Sequence, residues 1–106
     1  MGEMVIACYR PKPGREAELV GIVRGHVPAL RARGLATARP ATALRAPDGT
    51  VVEVFEWVSA QAAERAHSDP IVRKLWGRFM EVSDFGTLAA LPGAGEPFPH
   101  FEPLDL

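Results

Sequence analysis

Residues Val51 to Pro70 read VVEVFEWVSAQAAERAHSDP. Side chains of a strand point alternately to its two faces. In Val51 to Val58 one face therefore carries Val51, Glu53, Phe55 and Trp57, and the other Val52, Val54, Glu56 and Val58. Both faces are mostly apolar, the pattern of a strand at the centre of a sheet covered on both sides. A chain of 106 residues has room for one core and few elements with which to cover a sheet twice. The missing cover is expected from a second copy of the chain, and Glu53 and Trp57 are expected to face a cavity between sheet and helices.

Downstream of the strand, Ser59 is placed to cap a short helix running to about Ala66, because a serine hydroxyl accepts bonds from the free amides of a first turn. Asp69 as N-cap with Pro70 at the first helical position opens a second helix. Its apolar stripe is Ile71, Val72, Leu75, Trp76, Phe79 and Met80, and it runs to about Val82. Phe85 to Leu91, bounded by Pro92-Gly93, reads as a last strand. The remainder, PGAGEPFPHFEPLDL, is too rich in Pro and Gly for regular structure, but Phe98, Phe101 and Leu104 recur every three residues. We expect a body over residues 1–91 and a tail over 92–106 that docks on it, with room for one helical turn.

Upstream, Pro47-Asp48-Gly49-Thr50 is a hairpin signal between the central strand and a weakly patterned edge strand over Leu35 to Ala46, interrupted at Pro40. Before that, Leu19, Ile22, Val23, His26, Val27 and Leu30 mark an amphipathic helix ended by Gly34, with Pro28 expected to kink or split it. Met4 to Arg10 is a first strand stopped by Pro11-Lys12-Pro13-Gly14.

The composition is ordinary for a soluble globular protein, 47% hydrophobic and 24% charged. A formal net charge of -1 with both signs scattered gives no attraction to nucleic acid or an anionic membrane. The single Cys8, the absence of a signal-peptide pattern at MGEMVIACYR and the lack of a long apolar run lead us to expect a cytoplasmic protein. The excess of Arg over Lys with abundant Ala, Gly and Pro fits a GC-rich bacterial genome.

Strand, helix, strand, strand, helix, strand is the βαββαβ order of an α+β, ferredoxin-like fold with an antiparallel sheet and two helices on one face. Crossover handedness leads us to expect the first and third strands as parallel neighbours at the sheet centre. The opposite face, with Val52, Val54 and Val58, is then open and apolar, and two such faces packing together give a dimeric α/β barrel.

Over Trp57, Ser59, Ala66 and His67 the chain resembles the antibiotic biosynthesis monooxygenase-like family of dimeric α/β barrels, in which a strand ending in Trp precedes a Ser-started helix, an Ala-His pair and a second helix. By element order the resemblance extends over Met4 to Leu91. It implies a homodimer and a small-molecule cleft in a functionally mixed family. Members include quinone-forming monooxygenases that need no metal or flavin, haem-degrading enzymes and proteins of no established activity. The haem-degrading branch has an asparagine on the first strand and an axial histidine in the second helix. This chain has Cys8 and Tyr9, and Leu75 and Trp76, in those regions, which disfavours that branch.

His67, at the junction of two helical segments, reads as a general base titrating near working pH, or as an imidazole bonded to a carbonyl at the helix end. Trp57 either stacks on a flat ligand or is core. His26, beside Pro28, either reaches the cavity or is held by a carbonyl freed at the kink. Glu53, on the inward face with Phe55, must find a donor or be protonated, and if the phase is one residue out it exchanges roles with Glu56. Tyr9 either donates to a ligand oxygen or is a core ring with its hydroxyl at the rim. Cys8 has no adjacent base and reads as an inert thiol. Catalytic roles thus fall to His67 and Tyr9, and ligand contacts to Trp57, Glu53, Phe55 and His26. No metal-ligand spacing, phosphate loop or nucleophile elbow is present, so no metal and no cofactor is expected. Two readings follow: a cofactor-independent monooxygenase-like enzyme for a phenol- or quinol-like molecule, or a non-catalytic dimeric barrel that binds a hydrophobic ligand or has no small-molecule function.

Overall fold

Strand β3 (Val51–Trp57) pairs over its whole length with β1 (Glu3–Pro11), from Tyr9 opposite Val51 to Glu3 opposite Trp57. Its other edge pairs with β2 (Thr42–Arg45). In this computed structural model, which describes residues 2–106, the remaining elements are α1 (Glu16–Ala32), α2 (Ala60–Ser68), α3 (Pro70–Val82), β4 (Ser83–Gly86), a 3-10 turn (Leu88–Ala90) and β5 (Glu102–Leu104). The domain is α+β, with one five-stranded antiparallel sheet ordered β4-β1-β3-β2-β5 and three α-helices.

The first and third of these strands are neighbours, as expected, but they run antiparallel. The hairpin sets this. Asp48-Gly49 reverses the chain between β2 and β3, Gly49 taking φ 92° where a side chain would be strained. The turn is closed by the Ala46 amide on the Thr50 carbonyl at 2.8 Å. The α1 crossover makes β1 and β2 the parallel pair, and β3 returns between them.

Pairing fixes the faces. Val51, Phe55 and Trp57 pack with Tyr9, Ala7 and Val5 against α1, α2 and α3, while Val52 and Cys8 lie on the opposite face. Helix α1 runs unbroken through Pro28 and buries Leu19, Val20, Ile22, Val23, His26, Val27 and Leu30. Gly34, at φ 72°, ends it: the Gly34 amide donates to the Arg31 carbonyl and the Leu35 amide to the Leu30 carbonyl, both at 2.9 Å, while Leu35 and Leu30 pack together. Ser59 caps α2 by accepting from the Ala62 amide, and Asp69 caps α3 by accepting from the Ile71 and Val72 amides.

Four further expectations are corrected. Val58 lies past the end of β3, where its amide donates to the Leu35 carbonyl, and it packs on the helix side rather than on the open face. The last strand of the body is Ser83–Gly86, immediately after α3, and Leu88–Ala90 is a 3-10 turn instead of strand. The strand before the hairpin is confined to Thr42–Arg45 and is not an edge, because the tail contributes β5 outside it. A Pro/Gly-rich segment can do this at a sheet border, where Pro103 need not donate to a further strand. Finally, the outer face is not bare. Leu91 and Phe101 lie over Cys8, Ala46 and Val52, leaving Met4 and Ile6 about half exposed, at 52% and 49%.

Candidate functional site

The sheet's inward face and the helices border an open cavity of about 340 Å³, with Tyr9, His26, Phe55, Trp57, His67, Trp76, Phe79 and Phe85 among its lining. Period-two alternation on β1 and β3 delivers Tyr9, Phe55 and Trp57, the α1 stripe delivers His26, and α3 delivers Trp76 and Phe79 three residues apart on one face. Phe55 and Trp57 meet edge to face at 5.0 Å between centroids, and Tyr9 stacks on Phe79 at 4.5 Å with planes 11° apart.

Glu53 is 0% exposed, one of the few buried polar side chains of the core. Its Oε1 accepts from the Tyr9 hydroxyl at 2.8 Å and from His26 Nδ1 at 2.8 Å, and Oε2 lies 3.0 Å from the same nitrogen. The other His26 nitrogen, Nε2, accepts from the Trp76 indole N–H at 3.1 Å. An indole nitrogen only donates, so Nε2 must carry a lone pair and the neutral ring has its proton on Nδ1, aimed at Glu53. Donation therefore runs from Trp76 to His26 to Glu53, with Tyr9 donating from the other side. Among the described residues no buried side-chain polar atom lacks a partner.

The chain of donors acts on Tyr9. Burial, then the charge and hydrogen bond of Glu53, push its hydroxyl far above the ordinary tyrosine range, so it is a donor whose hydrogen is directed at Glu53. Burial likewise pushes the Cys8 thiol up, which matches an inert group.

Six residues were singled out in the sequence. Five of them, Tyr9, His26, Phe55, Trp57 and His67, line this cavity, and Glu53 lies directly behind it on Tyr9 and His26. The partners differ from those expected. His26 is bonded to a carboxylate and an indole rather than to a carbonyl near Pro28. Glu53, which had to find a donor or be protonated, finds two, Tyr9 and His26. His67 is exposed on α2, with its ring edge-on to Trp76 at 5.0 Å. The phase of the central strand is as first read: Glu56 faces away and accepts from Thr37 and Arg39, which hold its carboxyl below the usual range.

Trp76 is the cavity side chain that the sequence reading left in the core stripe. A half-buried tryptophan needs an acceptor for its N–H, and His26 sits on the facing stripe of α1, which is the one signal available without the structure. A second groove of about 550 Å³, between α1 and β2 with β5, is bordered by Arg24 and Arg31. Both arginines are engaged by main-chain carbonyls, Arg24 by Asp105 and Arg31 by Thr37 and Arg39.

Among the described residues no group of three or more His, Cys, Asp or Glu is gathered as metal ligands, and no helix is long and apolar enough to cross a membrane. Comparison with protein-family models, with curated proteins and with solved structures finds no match.

Proposed function

We propose that the cavity binds a small, flat, weakly acidic aromatic molecule of the phenol or quinol class, and that the protein oxidises it as a cofactor-independent monooxygenase. The observation that carries this reading is an aromatic cavity of about 340 Å³ with one imidazole inside, His26, and one at its rim, His67. Dioxygen reacts slowly with neutral phenols and faster with their electron-rich anions, so such a site needs a base and walls that hold the ring. A placed base contributes roughly 10²- to 10⁴-fold. Stacking on Trp57 adds about 0.5–1.5 kcal/mol beyond area burial. With dioxygen as oxidant, the ring carbon opposite the phenol exchanges its hydrogen for one oxygen atom and becomes a carbonyl, the phenol loses its own hydrogen to become the second carbonyl, and the other oxygen atom leaves with both hydrogens as water.

The same reading takes the domain as ferredoxin-like and as half of a dimeric α/β barrel of a cytoplasmic protein. Half-exposed Met4 and Ile6, with Val54, form an apolar strip on the outer face beside the part that Leu91 and Phe101 cover. A second copy packed there would close the face, in an interface on the order of 2,000 Å² if it is obligate.

The second reading, a dimeric barrel that binds a hydrophobic ligand without chemistry, draws support from the closed set of bonds among Tyr9, His26, Glu53 and Trp76, which satisfy one another. Oxygen consumption with a panel of hydroquinones and anthrones separates the two. The enzyme reading expects uptake by the parent and its loss when His26→Gln and His67→Ala are combined. Background uptake in both, or equal uptake, leaves the binding reading, which tryptophan fluorescence quenching by the same compounds then tests.

A further inference from the structure

We propose that the proton acceptor of the cavity is His26 Nε2, and that the Trp76 indole N–H occupies the place a ligand hydroxyl takes. This rests on the reading of the cleft as a site for a weakly acidic aromatic molecule. The geometry has three parts. His26 is 2% exposed, yet its ring borders the cavity, and its Nε2 lone pair is directed at the indole N–H of Trp76, which is itself part of the cavity wall. That lone pair already receives a donor at 3.1 Å, hydrogen-bond range for an incoming O–H as well. Behind the ring, Nδ1–H rests on Glu53, itself anchored by Tyr9 O–H, which fixes the tautomer and leaves Nε2 as the nitrogen that accepts. Phe55 and Phe79 meet the His26 ring edge to face at 5.4 and 5.0 Å and hold its orientation.

In the step itself the ligand O–H bond breaks, the proton forms a bond to Nε2, and the electron pair stays on the ligand oxygen. The resulting imidazolium donates through Nδ1 to Glu53 and through Nε2 to the phenolate. The titratable groups facing His26 are Glu53 from β3 and Tyr9 from β1, while α3 presents Trp76 and Phe79, which do not titrate. Across the Trp76 ring lies His67 of α2. Displaced from Nε2, the half-buried Trp76 ring remains as a wall against the ligand.

The probe is 4-nitrophenol, whose anion is yellow and whose neutral form is not, titrated with pH while bound. The parent is expected to ionise the bound probe at least about one pH unit below free solution, a tenfold shift. Trp76→Phe, which keeps the ring and removes the donor, is expected to tighten binding severalfold. Glu53→Gln is expected to bind the probe and lose the shift. The assignment is overturned if Glu53→Gln and His26→Gln keep the shift, or if His67→Ala alone abolishes it. Should Glu53→Gln or His26→Gln fail to fold by circular dichroism, Trp76→Phe decides: unchanged or weaker affinity overturns the proposal. A parent that binds without a shift refutes the proton acceptor alone. A parent that does not bind refutes the aromatic-site reading, and the acceptor with it.

Discussion

Removing the charge at Glu53 while keeping its shape tests whether the buried donors are ordered as the structure has them. In Glu53→Gln the amide oxygen can stay at Oε1, where it accepts from Tyr9 and from His26 Nδ1, each at 2.8 Å. The amide nitrogen then replaces Oε2, 3.0 Å from Nδ1, and sets one donor against another. His26 could relieve the clash by moving its proton to Nε2, but Nε2–H would then face the Trp76 N–H at 3.1 Å. Either way one buried donor is left without an acceptor, at about 1–3 kcal/mol. Trp76→Phe removes the second donor, so in the double variant His26 is free to switch tautomer and accept from the glutamine amide. The two changes should therefore fail to add: the double variant is expected to be more stable than the sum of the singles by roughly 0.5–3 kcal/mol. Urea unfolding of the four proteins at one fixed chain concentration measures this, with the midpoint read at constant slope. Additivity within about 0.5 kcal/mol would refute the order of donation from Trp76 through His26 to Glu53.

Three other outcomes follow from the same packing. Val54→Asp, on the outer face opposite Ile6 and Thr42, is expected to convert a dimer to a monomer and lower stability together; light scattering that gives the mass of one chain for the parent, or of two for the variant, contradicts the proposed pairing. Phe79→Ala removes a fully buried ring that stacks on Tyr9 and meets His26, and should cost about 3–5 kcal/mol in urea unfolding, with a loss under about 1 kcal/mol counting against it as a central core side chain. Asp69 is held below its ordinary carboxyl range by the Arg33 hydrogen bond first, with the Val72 and Ile71 amides adding to it against the opposing effect of burial. A lowered folded value means this stabilisation is complete above the unfolded value of about 3.9 and is lost as pH falls through the folded one. Thermal melts of the parent and Asp69→Asn, which keeps a cap but not the charge, should thus differ near neutrality and converge toward about pH 2; an equal gap at both ends contradicts the linkage.

The alternation in VVEVFEW grouped Val51, Glu53, Phe55 and Trp57 on one face, because strand periodicity is two, but with both faces mostly apolar only the packing of the helices decides which face they cover. The caps at Ser59 and Asp69 and the glycine stop at Gly34 were equally legible, since each is a local hydrogen-bond problem with a local solution. What stayed hidden was non-local. Strand β5 depends on whether a Pro-containing triplet meets an unsatisfied sheet edge at Ala43 to Arg45, far earlier in the chain, and nothing within EPL announces that edge. Only pairing tells that Leu91 and Phe101 lie over Cys8 and Val52.

The site divides in the same way. Glu53 on an inward face had to find donors, so its partnership was foreseeable, but three candidate donors at separations of 14 to 44 residues are indistinguishable until α1, α2 and β1 are set around it. The α1 stripe puts His26 over the sheet centre and leaves His67, at the end of α2, on the rim, so the nearer imidazole in sequence is the farther one in space. That inversion bears on the chemistry. A histidine sandwiched between a carboxylate and an indole has its tautomer fixed, with Nδ1–H on Glu53 and the Nε2 lone pair on the Trp76 N–H at the cavity wall. Under the proposed reading the ring needs no reorientation at the moment of proton transfer once the indole is displaced, and the proton acceptor of this cleft lies on α1 rather than on the helix junction that the residue pattern marks most plainly.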